Sequence, residues 1–126
     1  MKEYKLIVAG SRSWNDRQLA IQSIVDFQHK HCNGRHLHII SGTARGADQM
    51  GEEIAQLYHL PVTQMPANWS IFGRSAGYRR NKEMALIADG ALVLWDGESR
   101  GSKHMYDLAL KHKLDVELVL PTIYGP

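Results

Sequence analysis

The chain has 126 residues, of which 44% are hydrophobic and 22% are charged, and its formal net charge is +2. This composition predicts one globular domain over residues 1–126 and excludes a disordered chain. The apolar runs, such as LIVA and ALVLW, are no longer than about five residues, which excludes a membrane-spanning helix. The stretch before Gly10 is too short for a signal peptide, and the single cysteine, Cys32, cannot form an internal disulfide. Both features favour a cytoplasmic location.

The first half of the chain alternates between strand and helix patterns. Residues 4–10 form a short apolar run that ends at a glycine, which is typical of a buried strand. Residues 14–31 follow as a helix, for which Asn15 is the predicted N-cap. Residues 36–42 predict a second strand, and residues 46–59 predict a helix with a single apolar stripe.

The second half continues the alternation. Residues 60–66 predict a third strand at a sheet edge, because Pro61 cannot donate a ladder hydrogen bond. Beyond it the patterns predict a loop, a helix, a strand, a helix and a last strand, over residues 67–77, 76–89, 91–97, 101–113 and 115–121 respectively. Such alternation predicts an α/β protein, with a three-layer Rossmann-like fold and a mainly parallel sheet of about five strands.

Ligands bind such sheets at the carboxyl ends of the strands, so the loops that follow the strands are the candidate sites. The first loop contains Gly10, Ser11 and Arg12 at the start of a helix, where free N–H groups and the helix dipole attract anions. Trp14 either stacks on a base or seals the core. The loop does not have the Gly-x-Gly-x-x-Gly pattern of dinucleotide-binding proteins.

The second loop, SGTARGAD, is the strongest candidate for an anion site. Gly42 permits a sharp turn and Gly46 opens a helix, so the backbone N–H groups of residues 43–47 are predicted to hold a phosphate. Asp48 either complements the helix dipole or binds a ribose hydroxyl, whereas Gly51 allows the helix to pack closely on a strand. No Gly-Lys-Ser/Thr follows, which argues against ATP hydrolysis. The predicted ligand contacts are Ser41, Gly42, Thr43, Ala44, Gly46, Ala47 and Asp48.

The third loop has the same character as the first two. Asp96, Gly97 and Ser99 follow a strand, and Gly101 and Ser102 open the next helix. One such loop is compatible with a simple turn, but three at the same edge of a sheet favour a ligand that carries a phosphate.

The helix predicted over 76–89 adds two side chains to this site. Arg80 extends the inward apolar stripe of the helix, and its planar fork suits a phosphate or a carboxylate. Asn81 is predicted to share the ligand, whereas Arg79 lies half a face away and is expected in solvent.

The seven histidines do not predict a metal site. In HKHC and HLH no carboxylate or second cysteine completes a ligand set. A Ser-His-Asp hydrolase is not expected either, because the chain has no Gly-x-Ser-x-Gly motif. We therefore predict no metal and no cofactor.

The motifs GSRSW, SGTARGAD and RRNKEMALIADGALVLWDGESRGSKHM, in this order, resemble the SLOG superfamily. This Rossmann-like group includes the DNA-processing family Smf/DprA and the LOG phosphoribohydrolases, which activate cytokinins. The similarity extends over nearly the whole chain and is most evident with the small YspA/YpsA-related branch. The resemblance implies a nucleotide or nucleotide-derived ligand at the strand ends.

The resemblance to LOG enzymes supports a similar ligand pocket better than it supports the phosphoribohydrolase reaction. In RNKEM, Arg80 matches the catalytic arginine of that family, and Gly101 and Ser102 match its Gly-Thr pair. Met105 stands where those enzymes have a catalytic glutamate. The catalytic residues are therefore unknown, and the candidates are Arg80, Asp48, Asp96 and Glu98.

The leading hypothesis is a protein that binds a nucleotide-type small molecule, including NAD-derived signals, as a sensor or a sequestering protein. The alternative is an enzyme that cleaves the N-glycosidic bond of a nucleoside monophosphate. A nucleic-acid-binding module is a third hypothesis, which the weak net charge disfavours. It would depend on the arginines Arg12, Arg45, Arg74, Arg79, Arg80 and Arg100.

Self-association is also expected. Members of the superfamily that the chain resembles commonly form dimers or larger oligomers. In addition, a sheet of about five strands leaves apolar residues uncovered on helical faces. These residues are Met50, Tyr58, Met84, Met105 and Tyr106.

Overall fold

The computed structural model describes residues 2–122, in which five parallel strands form one sheet in the order β3-β2-β1-β4-β5. The strands are β1 (Glu3–Gly10), β2 (His36–Ser41), β3 (Val62–Gln64), β4 (Gly90–Leu94) and β5 (Asp115–Val119). The helices are α1 (Arg17–His31), α2 (Ala47–Leu57), α3 (Trp69–Phe72), α4 (Ala76–Ile87) and α5 (Arg100–Lys111). The predicted α/β Rossmann-like fold is confirmed, and all four strand pairs are parallel.

Alternate residues of β1 contribute to two hydrophobic cores, one on each face of the sheet. Leu6 and Val8 pack under α1 and α2, whereas Ile7 and Ala9 pack in the core that α4 and α5 cover. None of the four is more than 7% exposed. Because both faces are covered there, the strand is apolar at every position from Leu6 to Ala9, which explains the continuous apolar run in the sequence.

The start of α1 differs from the prediction. Its N-cap is Asp16, whose carboxylate accepts the Leu19 N–H at 3.0 Å, so the predicted cap Asn15 is wrong. Asparagine and aspartate cap helices about equally well, and local sequence does not separate two such neighbours. Trp14, just before the helix, is 6% exposed within the core under α1 and α2, and its indole N–H donates to the Asp16 carbonyl oxygen at 3.1 Å. Of its two predicted roles, the structure therefore supports core sealing.

The segment around β3 is the least regular part of the fold. β3 is the predicted edge strand, but it covers only Val62–Gln64, and prolines stand on both sides of it. The loop predicted over 67–77 contains the four-residue helix α3, which Asn68 caps by accepting the Ile71 N–H at 3.2 Å. A helix this short has no apolar period, so the sequence pattern did not reveal it. Among residues 2–122, no helix is both long and apolar enough to cross a membrane.

The order of the strands reverses at β1, where β2 lies on one side and β4 on the other. In open α/β sheets, a crevice at the carboxyl ends of the strands opens at such a reversal. Ser11 holds the loops after β1 and β4 together there. Its N–H donates to the Leu94 carbonyl oxygen, and its Oγ accepts the Asp96 N–H, both at 2.9 Å.

Candidate functional site

A cavity of about 500 Å³ opens at the carboxyl ends of the strands, around the reversal between β1 and β4. Ten of the predicted ligand-binding residues line it: Gly10, Arg12, Ala44, Asp48, Arg80, Asn81, Asp96, Ser99, Gly101 and Ser102. The loops after three strands and the first half of α4 therefore meet in one place, as the strand-end rule predicts.

Other predicted residues do not line the cavity. They are Ser11, Trp14, Ser41, Gly42, Thr43, Gly46, Ala47, Gly97 and the catalytic candidate Glu98. Ser41, for example, is fully buried, and its hydroxyl donates to the Glu52 carboxylate at 2.5 Å. These residues shape the loops, whereas the wall itself is formed by others.

The backbone N–H groups of the loop after β2 are largely occupied within the protein. Three of the five predicted to hold a phosphate already donate hydrogen bonds, namely Thr43 to Ser41 Oγ (3.0 Å), Ala44 to Asp48 Oδ2 (3.1 Å) and Ala47 to the Ser11 carbonyl oxygen (3.1 Å). The backbone cradle over residues 43–47 therefore stays a prediction, with three of its five N–H groups already engaged within the protein.

Gly46 brings the loop after β2 against the loop after β1. Its φ is +76°, and a Cβ at this position would lie 2.3 Å from the Ser11 carbonyl oxygen and 2.5 Å from that of Arg12. These distances leave no room for any side chain. The sequence suggested that Gly46 makes room for an anion, but the structure shows that it makes room for the backbone of the neighbouring loop. Gly51 allows close packing as predicted, since a Cβ there would lie 2.8 Å from the Val8 side chain.

Arg80 is held in a fixed orientation in the cavity wall. Its Nε donates to the Asn81 Oδ1 at 3.0 Å, and its Nη1 donates to the Gly42 carbonyl oxygen. Burial lowers the pKa of the guanidinium, which remains protonated nonetheless. Among residues 2–122, no acceptor bonds its second Nη, so that edge of the fork is available to a ligand.

Arg79 is placed differently, as the helix pattern predicted. It is exposed, its Nε donates to the Ser75 hydroxyl at 3.0 Å, and its guanidinium lies 4.4 Å from the centre of the Phe72 ring. It does not line the cavity. The two neighbouring arginines therefore have separate environments.

Asp48 is the buried acid of the site. It is 4% exposed, and burial raises the pKa of its carboxyl to about 6, although the Ala44 N–H and the charge of Arg80 act in the opposite direction. A Cβ on Gly42 would lie 2.5 Å from Arg80 Nη1 and 2.8 Å from Asp48 Oδ2, so both side chains close over this glycine. A carboxyl with a pKa of about 6 can bind a sugar hydroxyl or exchange a proton near neutral pH.

The raised pKa of Asp48 predicts that its contribution to stability falls as the pH rises. The folded-state pKa, about 6, lies above the ordinary value of 3.8, so between these two values the folded chain binds the proton more tightly than the unfolded chain. Relative to Asp48→Asn, the free energy of unfolding should therefore drop by roughly 2 kcal/mol between pH 4 and pH 7. Urea denaturation of both proteins measures this difference, and parallel pH profiles would contradict it.

Asp96 organises the loop after β4. Its Oδ1 accepts the N–H groups of Glu98 and Ser99 at 2.8 and 2.9 Å, and these bonds hold the pKa of the carboxyl below its ordinary value. Ser99 in turn caps α5, since its Oγ accepts the Ser102 N–H at 3.4 Å. The loop thus presents the N-terminus of α5 to the cavity, where Gly101 and Ser102 line the wall.

Several lining residues were not assigned to the site from the sequence. They are Ala9, Ser13, Trp69, Arg74, Gly77, Tyr78, Met84 and Met105. Trp69 and Tyr78 are about half exposed, at 51% and 44%. Their signal in the sequence was a set of aromatic residues and arginines between positions 69 and 80, which resembles a nucleic-acid or nucleotide contact more than a core segment.

The charges of the cavity favour an anion. Its charged lining residues are Arg12, Arg74, Arg80, Asp48 and Asp96, that is, three arginines and two aspartates. In the part of the chain that the structure describes, no group of three or more His, Cys, Asp or Glu side chains is arranged to hold a metal ion.

A family model for YAcAr, the YspA, cpYpsA-related SLOG family, matches residues 4–72. The matched region contains the loops after β1 and β2 and ends with α3. Arg80 and the loop after β4 lie beyond it.

Similar proteins are found among phage proteins and among solved structures. The Gene 61 protein of Mycobacterium phage D29 is 30% identical over an alignment of 118 residues that covers 89% of this chain and 93% of that protein. The DNA processing protein A (DprA) of Streptococcus pneumoniae matches 97% of the chain with a TM-score of 0.72 and 16% identity. DprA of Helicobacter pylori, whose structure concerns a single-stranded DNA binding mode, also matches 97%, with a TM-score of 0.64 and 18% identity. The chain spans 52% and 67% of these two DprA chains, and at such identities the likeness establishes the fold.

Proposed function

The chain belongs to the YspA, cpYpsA-related SLOG family, and from this membership and the cavity we propose that it binds a nucleotide or nucleotide-derived small molecule. The observation that carries the proposal is the Arg80 guanidinium, which two hydrogen bonds orient in the cavity wall with one edge left for a ligand. A fork held in this way suits a phosphate, because the orientation is fixed before the ligand binds.

The remaining residues of the wall have complementary roles in this proposal. The phosphate binds Arg80 beside the N-terminus of α5, where Gly101 and Ser102 line the wall and the helix dipole also favours an anion. Asp48 binds a sugar hydroxyl from the floor of the cavity. Arg12 is exposed at the rim and attracts anions from solvent. The protein acts as a sensor of this ligand or sequesters it.

The alternative, cleavage of an N-glycosidic bond, depends on a single acid. The position that resembles the catalytic glutamate of LOG enzymes is Met105, which is 1% exposed. Asp96 is engaged by its own loop, and Glu98 lies outside the wall. Asp48 alone combines a place in the wall with a pKa of about 6 that suits a general acid or base. We therefore favour binding over catalysis.

A second candidate function is binding of single-stranded nucleic acid. The segment 69–80 supports it, because exposed aromatic residues alternate there with arginines, as in surfaces that stack bases and neutralise phosphates. The DprA structure concerned with single-stranded DNA shares the fold. The weak net charge of +2 does not favour this candidate.

Calorimetry and chromatography test these functions together. We expect at least one of the four common nucleoside 5′-monophosphates or ADP-ribose to bind at micromolar concentration and to remain intact after long incubation. Release of free base at many turnovers, abolished in Asp48→Asn, would make the protein an enzyme. Binding of oligonucleotides alone, with an affinity that falls steeply with salt, would favour the nucleic-acid module.

Self-association stays a prediction, on a narrower basis than the sequence suggested. Met84 and Met105 are each 1% exposed in the core of this chain, so they are not available to a second copy. Tyr58 remains 54% exposed. Sedimentation that finds only a 14.2 kDa species at micromolar concentration would contradict the predicted homo-oligomer.

A further inference from the structure

The helix α3 and the start of α4 present large aromatic side chains to solvent. Trp69, Phe72 and Tyr78 are 51%, 43% and 44% exposed, and α3 has no buried residue. Ordering a segment costs conformational entropy, and α3 buries no side chain in the core that would offset this cost. The exposed aromatic side chains of this region therefore suggest binding at the surface. Two of them, Trp69 and Tyr78, line the cavity.

The ring of Trp69 lies beside the guanidinium of Arg80. A Cβ on Gly77 would be 3.3 Å from the Trp69 Cη2 and 4.0 Å from the Arg80 Nη2, so the two groups meet across this glycine. The available edge of the arginine and the indole are thus neighbours in one wall. A ligand that carries both a phosphate and an aromatic ring can contact the two groups together.

Tyr78 packs against a residue of α5. Its ring packs edge-on against His104 of α5, with the ring centres 4.4 Å apart and an angle of 66°. His104 is itself within hydrogen-bond distance of the Asn81 amide, at 3.2 Å. Phe72 differs from both, because it does not line the cavity and the guanidinium of Arg79 already covers its ring.

We propose that Trp69, supported by Tyr78, is the stacking subsite for the base of the ligand and makes the protein select nucleotides over sugar phosphates. This inference rests on the proposed function, since it takes the phosphate at Arg80 as given. Every base has a π-face, and stacking on an aromatic side chain tolerates any of the four. The cavity, about 500 Å³, has the size of ordinary ligand pockets and accommodates base, sugar and phosphate together.

The test compares two ligands and three variants by calorimetry. The ligands are ribose 5-phosphate and the nucleoside 5′-monophosphate that binds most tightly. The variant Trp69→Leu should weaken the nucleotide roughly 5- to 150-fold and leave ribose 5-phosphate unchanged. Trp69→Phe should retain most of the affinity, because a phenyl ring still stacks. Phe72→Leu is the control on the same helix, since Phe72 is 43% exposed and outside the wall, and it should alter neither ligand.

The possible outcomes distinguish the stacking subsite from the proposed function on which it rests. Equal affinities of wild type for nucleotide and ribose 5-phosphate, with no effect of Trp69→Leu, would overturn the stacking subsite and leave the phosphate site standing. A wild-type protein that binds neither ligand, and no oligonucleotide, would overturn both. A free mononucleotide and a single strand of nucleic acid present the same base to Trp69. A ten-nucleotide oligothymidylate is therefore titrated in parallel to distinguish the two ligands. Tighter binding of this strand, lost in Trp69→Leu, would support the subsite and identify a strand as its source.

Discussion

Gly46→Ala is expected to lower the free energy of unfolding by roughly 2–6 kcal/mol. An alanine held at φ +76° and ψ −120°, a conformation that L residues rarely adopt, costs about 1–3 kcal/mol in backbone strain. The overlap of its Cβ with the Ser11 carbonyl oxygen, at 2.3 Å, adds about 1–3 kcal/mol, because a backbone atom cannot rotate away as a side chain does. Against a total stability of about 5–15 kcal/mol, this loss is large.

Gly34→Ala is the matched control for this prediction. Gly34 has nearly the same φ, +78°, but a Cβ on it would meet no atom within 4 Å. It should lose only about 1–2 kcal/mol, the cost of strain alone. Urea denaturation of both variants measures the difference. Equal losses would show that the contact between the loops after β1 and β2 adds nothing at Gly46.

The fold was predictable because its pattern depends on burial alone. Residues 6–9 of β1 and the whole of β4 are covered on both faces, so these positions are apolar and appear as unbroken runs in the sequence. The bounds of elements were less predictable. Asn15 and Asp16 are both good caps, and the local sequence does not decide between them, although Asp16 caps α1 in the structure.

The site was predictable at the level of loops and less so at the level of atoms. Glycine-rich loops after parallel strands meet at one sheet edge, and Arg80 was assigned to the cleft because it continues an apolar stripe. The acceptor of each backbone N–H group was not predictable. The Ala47 N–H, for example, donates to the carbonyl oxygen of Ser11, 36 positions earlier in the chain. Trp69 was missed because a four-residue helix has no period to detect.

Arg80→Ala is expected to weaken binding of a nucleoside monophosphate roughly 10- to 150-fold, as for the loss of a charge-assisted hydrogen bond. The structure adds an effect on stability. The variant leaves the Gly42 carbonyl oxygen without its donor and removes the positive charge that favours the Asp48 carboxylate. We expect a loss of about 1–3 kcal/mol at pH 7. Protonation of Asp48 should recover part of this loss near pH 5, because a neutral carboxyl needs no counter-charge.

Arg79→Ala provides the control, since it removes the same charge one residue away and outside the cavity wall. Arg79 is exposed, and its partners are the half-buried Ser75 and the exposed Phe72 ring, so neither affinity nor stability should change appreciably. Calorimetry of both variants, with urea denaturation at pH 5 and pH 7, separates a specific phosphate contact from a general effect of charge. If the two variants lose affinity equally, and the loss disappears in high salt, long-range attraction and not the fork of Arg80 holds the ligand. A specific contact instead predicts that Arg80→Lys, which keeps the charge but not the planar fork, still binds more weakly than Arg79→Ala.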